Sequence, residues 1–120
     1  KLYIWTARGR RSTLEIVDEV GISSFFEELS CQGESSSKPS PEGIKHILYD
    51  VDPACVCVIG DSSGDMVGSR LYGSYGIGAL WGHGTDRGRQ VMMNSGADIC
   101  CESVVECTKL LRELIKIDKI

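Results

Sequence analysis

Two aspartates four positions apart, Asp61 and Asp65, follow an apolar run in the stretch CVCVIGDSSGDM. Carboxylates at the end of a buried strand are expensive unless a positive partner satisfies them. A hard divalent cation would do so. Magnesium takes only one or two protein carboxylates and keeps waters and phosphate oxygens as its other ligands. Gly60 and Gly64 permit a sharp turn there, and Ser62 and Ser63 offer hydroxyls that steer a carboxylate or cap a helix. The same residues also read as a plain helix start, with Asp61 or Ser62 as N-cap. Two more residues suit an anion. Thr6, in WTAR, ends an apolar run with a hydroxyl and neighbouring backbone N–H groups. Lys38, in SSSKPSPEG, stands directly before a helix start, where a cation is misplaced unless an anion lies nearby. Taken singly, Thr6 reads as an ordinary strand-end threonine and Lys38 as a solvated loop lysine.

The elements that must position these residues alternate between short apolar runs and capped amphipathic segments. LYIW (residues 2–5) is a strand, and Ser12-Thr13-Leu14-Glu15 spells a capping box before Ile16, Val17 and Val20 at helical spacing, with Gly21 as stop. SSFFEELSC (23–31) holds a short strand at its end, GESSSKPS (33–40) is a loop, and Ser40-Pro41 starts a helix buried through Ile44, Ile47 and Leu48. Residues 54–59 form a strand that is apolar on both faces, as in a central parallel strand covered by helices. Met66, Val67, Arg70 and Leu71 belong to a helix, IGALW (77–81) to a strand, Val91 to Met93 to a helix and ADIC (97–100) to a strand. Ser103-Val104-Val105-Glu106 opens a last helix with Leu110, Leu111, Leu114 and Ile115 inside. Strands separated by helices imply βαβ units, hence an α/β fold with a mostly parallel sheet. Ligands in such sheets sit at the carboxyl ends of the strands. Thr6 and Asp61 fall there.

The 120 residues suffice for one domain, 1–120, with a real core. With 42% hydrophobic and 25% charged residues and a formal charge of -4, the composition argues against a basic nucleic-acid surface. No apolar stretch reaches the roughly 20 residues of a membrane span. The six cysteines mostly sit in apolar runs and read as reduced core thiols in a cytoplasmic protein rather than as a disulfide framework or metal cluster.

In order along the chain, LYIWTA, KPSPEGI and VCVIGDSSGD resemble the second, third and fourth motifs of the haloacid dehalogenase superfamily, of the phosphoglycolate phosphatase type, and LWGHGT (80–85) resembles its fifth strand and following loop. The resemblance covers essentially the whole chain. It implies a Rossmann-like three-layer sandwich and a magnesium-dependent phosphatase acting through an aspartyl-phosphate. Thr6 and the backbone N–H of Ala7 would bind the phosphoryl group, Lys38 would neutralise it and orient the nucleophile, and Asp61 and Asp65 would hold Mg2+. The substrate would be a small phosphorylated metabolite or a phosphoprotein. Such chemistry works mainly by positioning and fixed positive charge.

The family's first motif, an apolar strand followed by Asp-x-Asp that supplies the nucleophile, does not occur where it belongs. Asp50-Val51-Asp52 matches the loop into the fourth-motif strand instead. In the family the nucleophile's strand lies centrally, between the strands ending at Thr6 and Asp61. The expectation is therefore that residues 1–120 are a C-terminal portion, inactive alone, whose central strand comes from the rest of the chain or from another chain. Direct pairing of the two flanking strands would overturn this. The stretch from Thr6 to Lys38 leaves no room for a cap domain. A different class of reading, a phosphoryl-binding module that lost its nucleophile, has less need of Lys38, Asp61 and Asp65 together; a receiver-like domain would carry its acidic pocket earlier. Arg8, Arg10 and Arg11 form a substrate rim or, more simply, a solvated face. His83 reads as structural or as a substrate contact, and Trp5 and Trp81 as core or its margin.

Overall fold

A computed structural model describes residues 1–82 and 86–118. The chain forms two compact units, residues 1–50 and the described residues from Val51 onward.

In the first unit, β1 (Leu2–Trp5) pairs in parallel with β2 (Phe26–Ser30), with Ile4 opposite Leu29 and Trp5 opposite Ser30. The crossover between them is α1 (Arg10–Glu19), as parallel pairing requires. This helix begins before the capping-box spelling. Its N-cap is Gly9, and Thr13, already inside the helix, turns its hydroxyl back to the Gly9 carbonyl oxygen at 2.8 Å. Its inward stripe is Thr13 and Val17, both buried, while Ile16 and Val20 are exposed. The second helix, α2 (Glu42–Ile47), has Pro41 rather than Ser40 at its N-cap and buries Gly43, Ile44 and Ile47.

The second unit is a parallel sheet in the order β3 (Cys57–Gly60), β4 (Tyr75–Ala79), β5 (Ile99–Cys101). Its helices are α3 (Ser63–Tyr72), α4 (Asp86–Asn94) and α5 (Val104–Asp118). The period-2 alternation of strands divides its core between the two sheet faces. Val58, Met66, Met92 and Cys100 gather with Leu80 and Ala97 in one cluster. Cys57, Ile77 and Cys101 gather with Cys107, Leu110 and Leu114 of α5 in another. Helices on both faces of a parallel sheet give the expected three-layer α/β arrangement. Gly78 is needed for close packing, since a Cβ there would lie 2.9 Å from Cys100 Sγ and 3.1 Å from Met92 Cβ.

Met66 is fully buried at the centre of the first cluster. Met66→Ala is expected to lower stability by about 2–5 kcal/mol, because the side chain's transfer energy is lost and a cavity remains. A urea denaturation midpoint unchanged from wild type would contradict this placement of the core.

One expectation is refined. Within the described sheet the central strand is β4, and β3, though apolar on both faces, lies at one end with Ile59 44% exposed. β1 pairs with β2, and β3 with β4. All six cysteines are free thiols. Burial pushes Cys57 up to about 12 and Cys101 to about 11, so both are neutral, unreactive core groups at physiological pH.

Candidate active site

In the first unit the loops leaving β1 and β2 are tied together at their carboxyl ends. Thr6 N–H donates to the Ser30 carbonyl at 2.9 Å, continuing the ladder one residue past β1. Thr6 Oγ1 then accepts from the Arg8 N–H at 3.1 Å, closing a small turn that leaves Ala7 exposed. The Thr6 and Arg8 N–H groups are thus engaged within the turn, and the exposed Ala7 stands between them.

Lys38 arrives at the same place from the other loop. Its ammonium donates to the Trp5 carbonyl oxygen at 3.0 Å and lies 4.5 Å from the centroid of the Trp5 ring. That carbonyl belongs to the peptide whose N–H is Thr6's own. Lys38, Thr6 and Ala7 are thus brought together within one unit. The Lys38-Pro39 peptide is cis.

The loop carrying Lys38 is anchored by Arg10 and Glu34. Arg10 makes a forked pair with Glu34, Nε to Oε2 at 2.6 Å and Nη2 to Oε1 at 2.9 Å, and Nη2 also donates to the Leu29 carbonyl at 2.8 Å. Glu34 Oε1 accepts in turn from the Cys31 N–H at 3.0 Å, and the Gln32 N–H donates to the Arg8 carbonyl. Arg10 is therefore a loop anchor and not part of a rim toward substrate, whereas Arg11, paired with Glu15 at 3.4 Å and almost wholly exposed, matches the solvated reading. Neither Arg10 nor Glu34 stood out in the sequence as a pair, because they lie far apart along it.

Hydrogen bonds from Arg10 and then Cys31 hold the Glu34 carboxyl down to about 2. A depressed carboxylate contributes stability that is complete above its ordinary range near 4.5 and is lost as pH falls toward 2. With Arg10 42% exposed, the contribution is limited to about 1 kcal/mol. Glu34→Gln is expected to flatten the acid limb of stability between these pH values, read by thermal unfolding across a pH series. An unaltered acid limb would show that the pair is not formed in solution.

In the second unit, β3 runs into the turn at Asp61 and then into α3. Ser62 is the N-cap of α3 and forms a reciprocal capping box with Asp65: the Asp65 N–H donates to Ser62 Oγ at 3.3 Å, and the Ser62 N–H donates to Asp65 Oδ2 at 3.1 Å. Asp65 is buried and Asp61 exposed. A Cβ at Gly60 would stand 2.6 Å from the Asp65 carboxylate carbon, so glycine is required for this carboxylate to approach the strand end. Asp65 thus has a structural task at the helix start, and of the two N-cap candidates, Asp61 and Ser62, the cap is Ser62. His83 lies outside the described residues, and Trp81 sits at the margin of the core, partly exposed.

The sequence profile of haloacid dehalogenase-like hydrolases matches residues 1–78. The chain belongs to this family. Among curated relatives, a phosphoglycolate phosphatase of Neisseria gonorrhoeae is 28% identical over 87 residues, covering 69% of this chain and 36% of that protein. Among solved structures, a Thermotoga maritima protein assigned as a β-phosphoglucomutase superposes with a TM-score of 0.80 at 23% identity, covering 91% of this chain and 52% of that one. A Bacillus subtilis protein assigned as a HAD-hydrolase and solved bound to magnesium gives a TM-score of 0.75 at 18% identity, with 93% and 48% covered. The structural likenesses establish the fold, a HAD-like α/β core. The chain spans about a third of the length of that curated relative and about half of those solved structures.

The donor chemistry of the second unit suits the metal this family implies. Asp61 and Asp65 supply hard carboxylate oxygens at a strand's carboxyl end, the ligand type magnesium takes. Among the described residues no group of three or more His, Cys, Asp and Glu side chains forms a fuller metal cage. A two-carboxylate set fits magnesium, which retains waters and substrate oxygens, better than a metal needing an all-protein shell. Among the described residues no helix is long and apolar enough to cross a membrane.

Proposed function

We propose that this HAD-family chain is the C-terminal part of the catalytic core of a magnesium-dependent phosphatase, a cytoplasmic hydrolase of small phosphorylated substrates or phosphoproteins. The observation that carries the reading is the convergence of the loops after β1 and β2: the Lys38 ammonium rests on the peptide that joins Trp5 to Thr6. Two loops that share one peptide present a fixed cation beside a hydroxyl and N–H turn. That is an arrangement for holding a phosphoryl group.

In this reading Thr6 Oγ1 and the Ala7 N–H bind equatorial phosphoryl oxygens, and Lys38 neutralises their charge and orients the nucleophile. Asp61 and Asp65 hold the metal. Bound magnesium would supply charge neutralisation and a clamp on the phosphoryl group. The capping box fixes the Asp65 carboxylate, and Gly60 gives it room. The nucleophilic aspartate lies outside residues 1–120. The apolar composition of β3 on both faces and the exposure of Ile59 leave room for a further strand beside β3.

The test is phosphate release from p-nitrophenyl phosphate by the natural protein in full, with and without magnesium, beside residues 1–120 alone. Magnesium-dependent turnover by the former and none by the latter is expected. Phosphate binding without turnover by the full protein would instead identify a phosphoryl-binding module.

A further inference from the structure

Lys38 has an unusual companion. The residue before Thr6 is a tryptophan, and it holds the lysine twice, through its carbonyl oxygen at 3.0 Å and through its ring at 4.5 Å. The indole face is the most favourable aromatic surface for a cation. The ring is itself fixed at its edge: a Cβ on Gly43, in the first turn of α2, would lie 2.7 Å from Trp5 Nε1, 3.0 Å from Trp5 Cδ1 and 2.6 Å from Ser30 Oγ. Ser30 is buried and is Trp5's partner in the parallel register. The α2 backbone therefore presses on the indole edge where no side chain could fit.

We propose that Trp5 is a positioning residue for Lys38, a platform wedged by Gly43 and Ser30 that preorganises the ammonium for the phosphoryl group. The proposal rests on the phosphatase reading for what the ammonium meets, and on contacts within the first unit for how it is held. A lysine on a flexible four-carbon stem loses rotamer freedom when it engages an anion. Two contacts from one residue remove that loss in advance. Because the carbonyl contact survives any substitution at residue 5, side-chain variants isolate the ring's contribution. Gly43 has a matching role, since any side chain there displaces the indole or Ser30.

The test compares wild type with Trp5→Leu and Trp5→Phe in the natural protein in full, using kcat/KM on p-nitrophenyl phosphate and the affinity for inorganic phosphate. Trp5→Leu is expected to lower both about tenfold, the scale of a partly desolvated cation–π contact. Trp5→Phe, which restores an aromatic face, is expected to recover most of the loss. Equal values for wild type and Trp5→Leu, or equal impairment of Leu and Phe variants, would overturn the proposal, the latter because it reports only packing. Should Trp5→Leu fail to fold, the Lys38 ε-methylene protons of wild type still decide by NMR. Ring current places them upfield of the other lysines if the platform forms, and an ordinary shift overturns it. If wild type releases no phosphate, the phosphatase reading fails separately. The inorganic phosphate affinities then judge the platform alone.

Discussion

Asp61→Asn in the natural protein in full is expected to reduce magnesium-dependent phosphate release by on the order of 10²–10³-fold, the range for removing a principal electrostatic contributor. The change is nearly isosteric and removes one negative charge. Because Asp61 is exposed and the α3 cap is made by Ser62 and Asp65, helix initiation is unaffected. Loss of activity with an unchanged melting temperature in the absence of magnesium would therefore report on the metal and not on folding. A second readout strengthens the assignment: a ligand that binds only the native state stabilises it, so magnesium should raise the melting temperature of wild type and not of the variant. Asp65→Asn behaves differently. Asp65 both caps α3 and lies in the proposed metal pair, so its loss should also lower stability by about 1 kcal/mol. Full activity in Asp61→Asn would reduce the GDSSGD segment to a helix start.

The α/β class and the strands and turns that carry the candidate site residues were legible because they rest on strong local signals. An apolar run ending in Gly-Asp marks β3 and its turn, and strand-helix alternation leaves few topologies open to parallel strands. Ser62 as N-cap was also readable, while its capping-box partner Asp65 was passed over although a hydroxyl followed three residues later by an acid is the local signature of that box. The start of α1 was less so. Ser12-Thr13-Leu14-Glu15 spells the same signature, yet Arg10 is already helical because its guanidinium is held by Glu34 and by the Leu29 carbonyl. Tertiary ties override local capping there, and they involve residues on different elements. The same holds at Lys38. The sequence places a cation before a helix start, a position that needs compensation, but Trp5 as its partner comes from another strand. The strand at 54–59 shows a third limit. Pro53 draws Ala54 and Cys55 into a turn of 3-10 helix with the Asp52 carboxylate as cap, so β3 starts only at Cys57.

Lys38→Met is the complementary expectation. It keeps a linear, apolar stem that can still lie against the Trp5 ring but removes the ammonium, so the Trp5 carbonyl loses its donor and the phosphoryl site its fixed cation. Phosphate release should fall by on the order of 10²–10³-fold, with inorganic phosphate binding weakened as well, because the cation attracts the ground-state anion too. Lys38→Arg should rescue poorly. A planar guanidinium cannot reproduce a point charge that sits on the indole face while donating to the carbonyl of the same residue. The two charge variants separate the proposed phosphoryl-binding role from the proposed metal-binding role. Asp61→Asn should remove the response to magnesium and leave some affinity for phosphate, whereas Lys38→Met should weaken phosphate and leave the magnesium-dependent gain in melting temperature. If Lys38→Met instead retained wild-type turnover, the lysine would be a brace between the β1 and β2 loops, and its contacts with Trp5 would serve the fold alone.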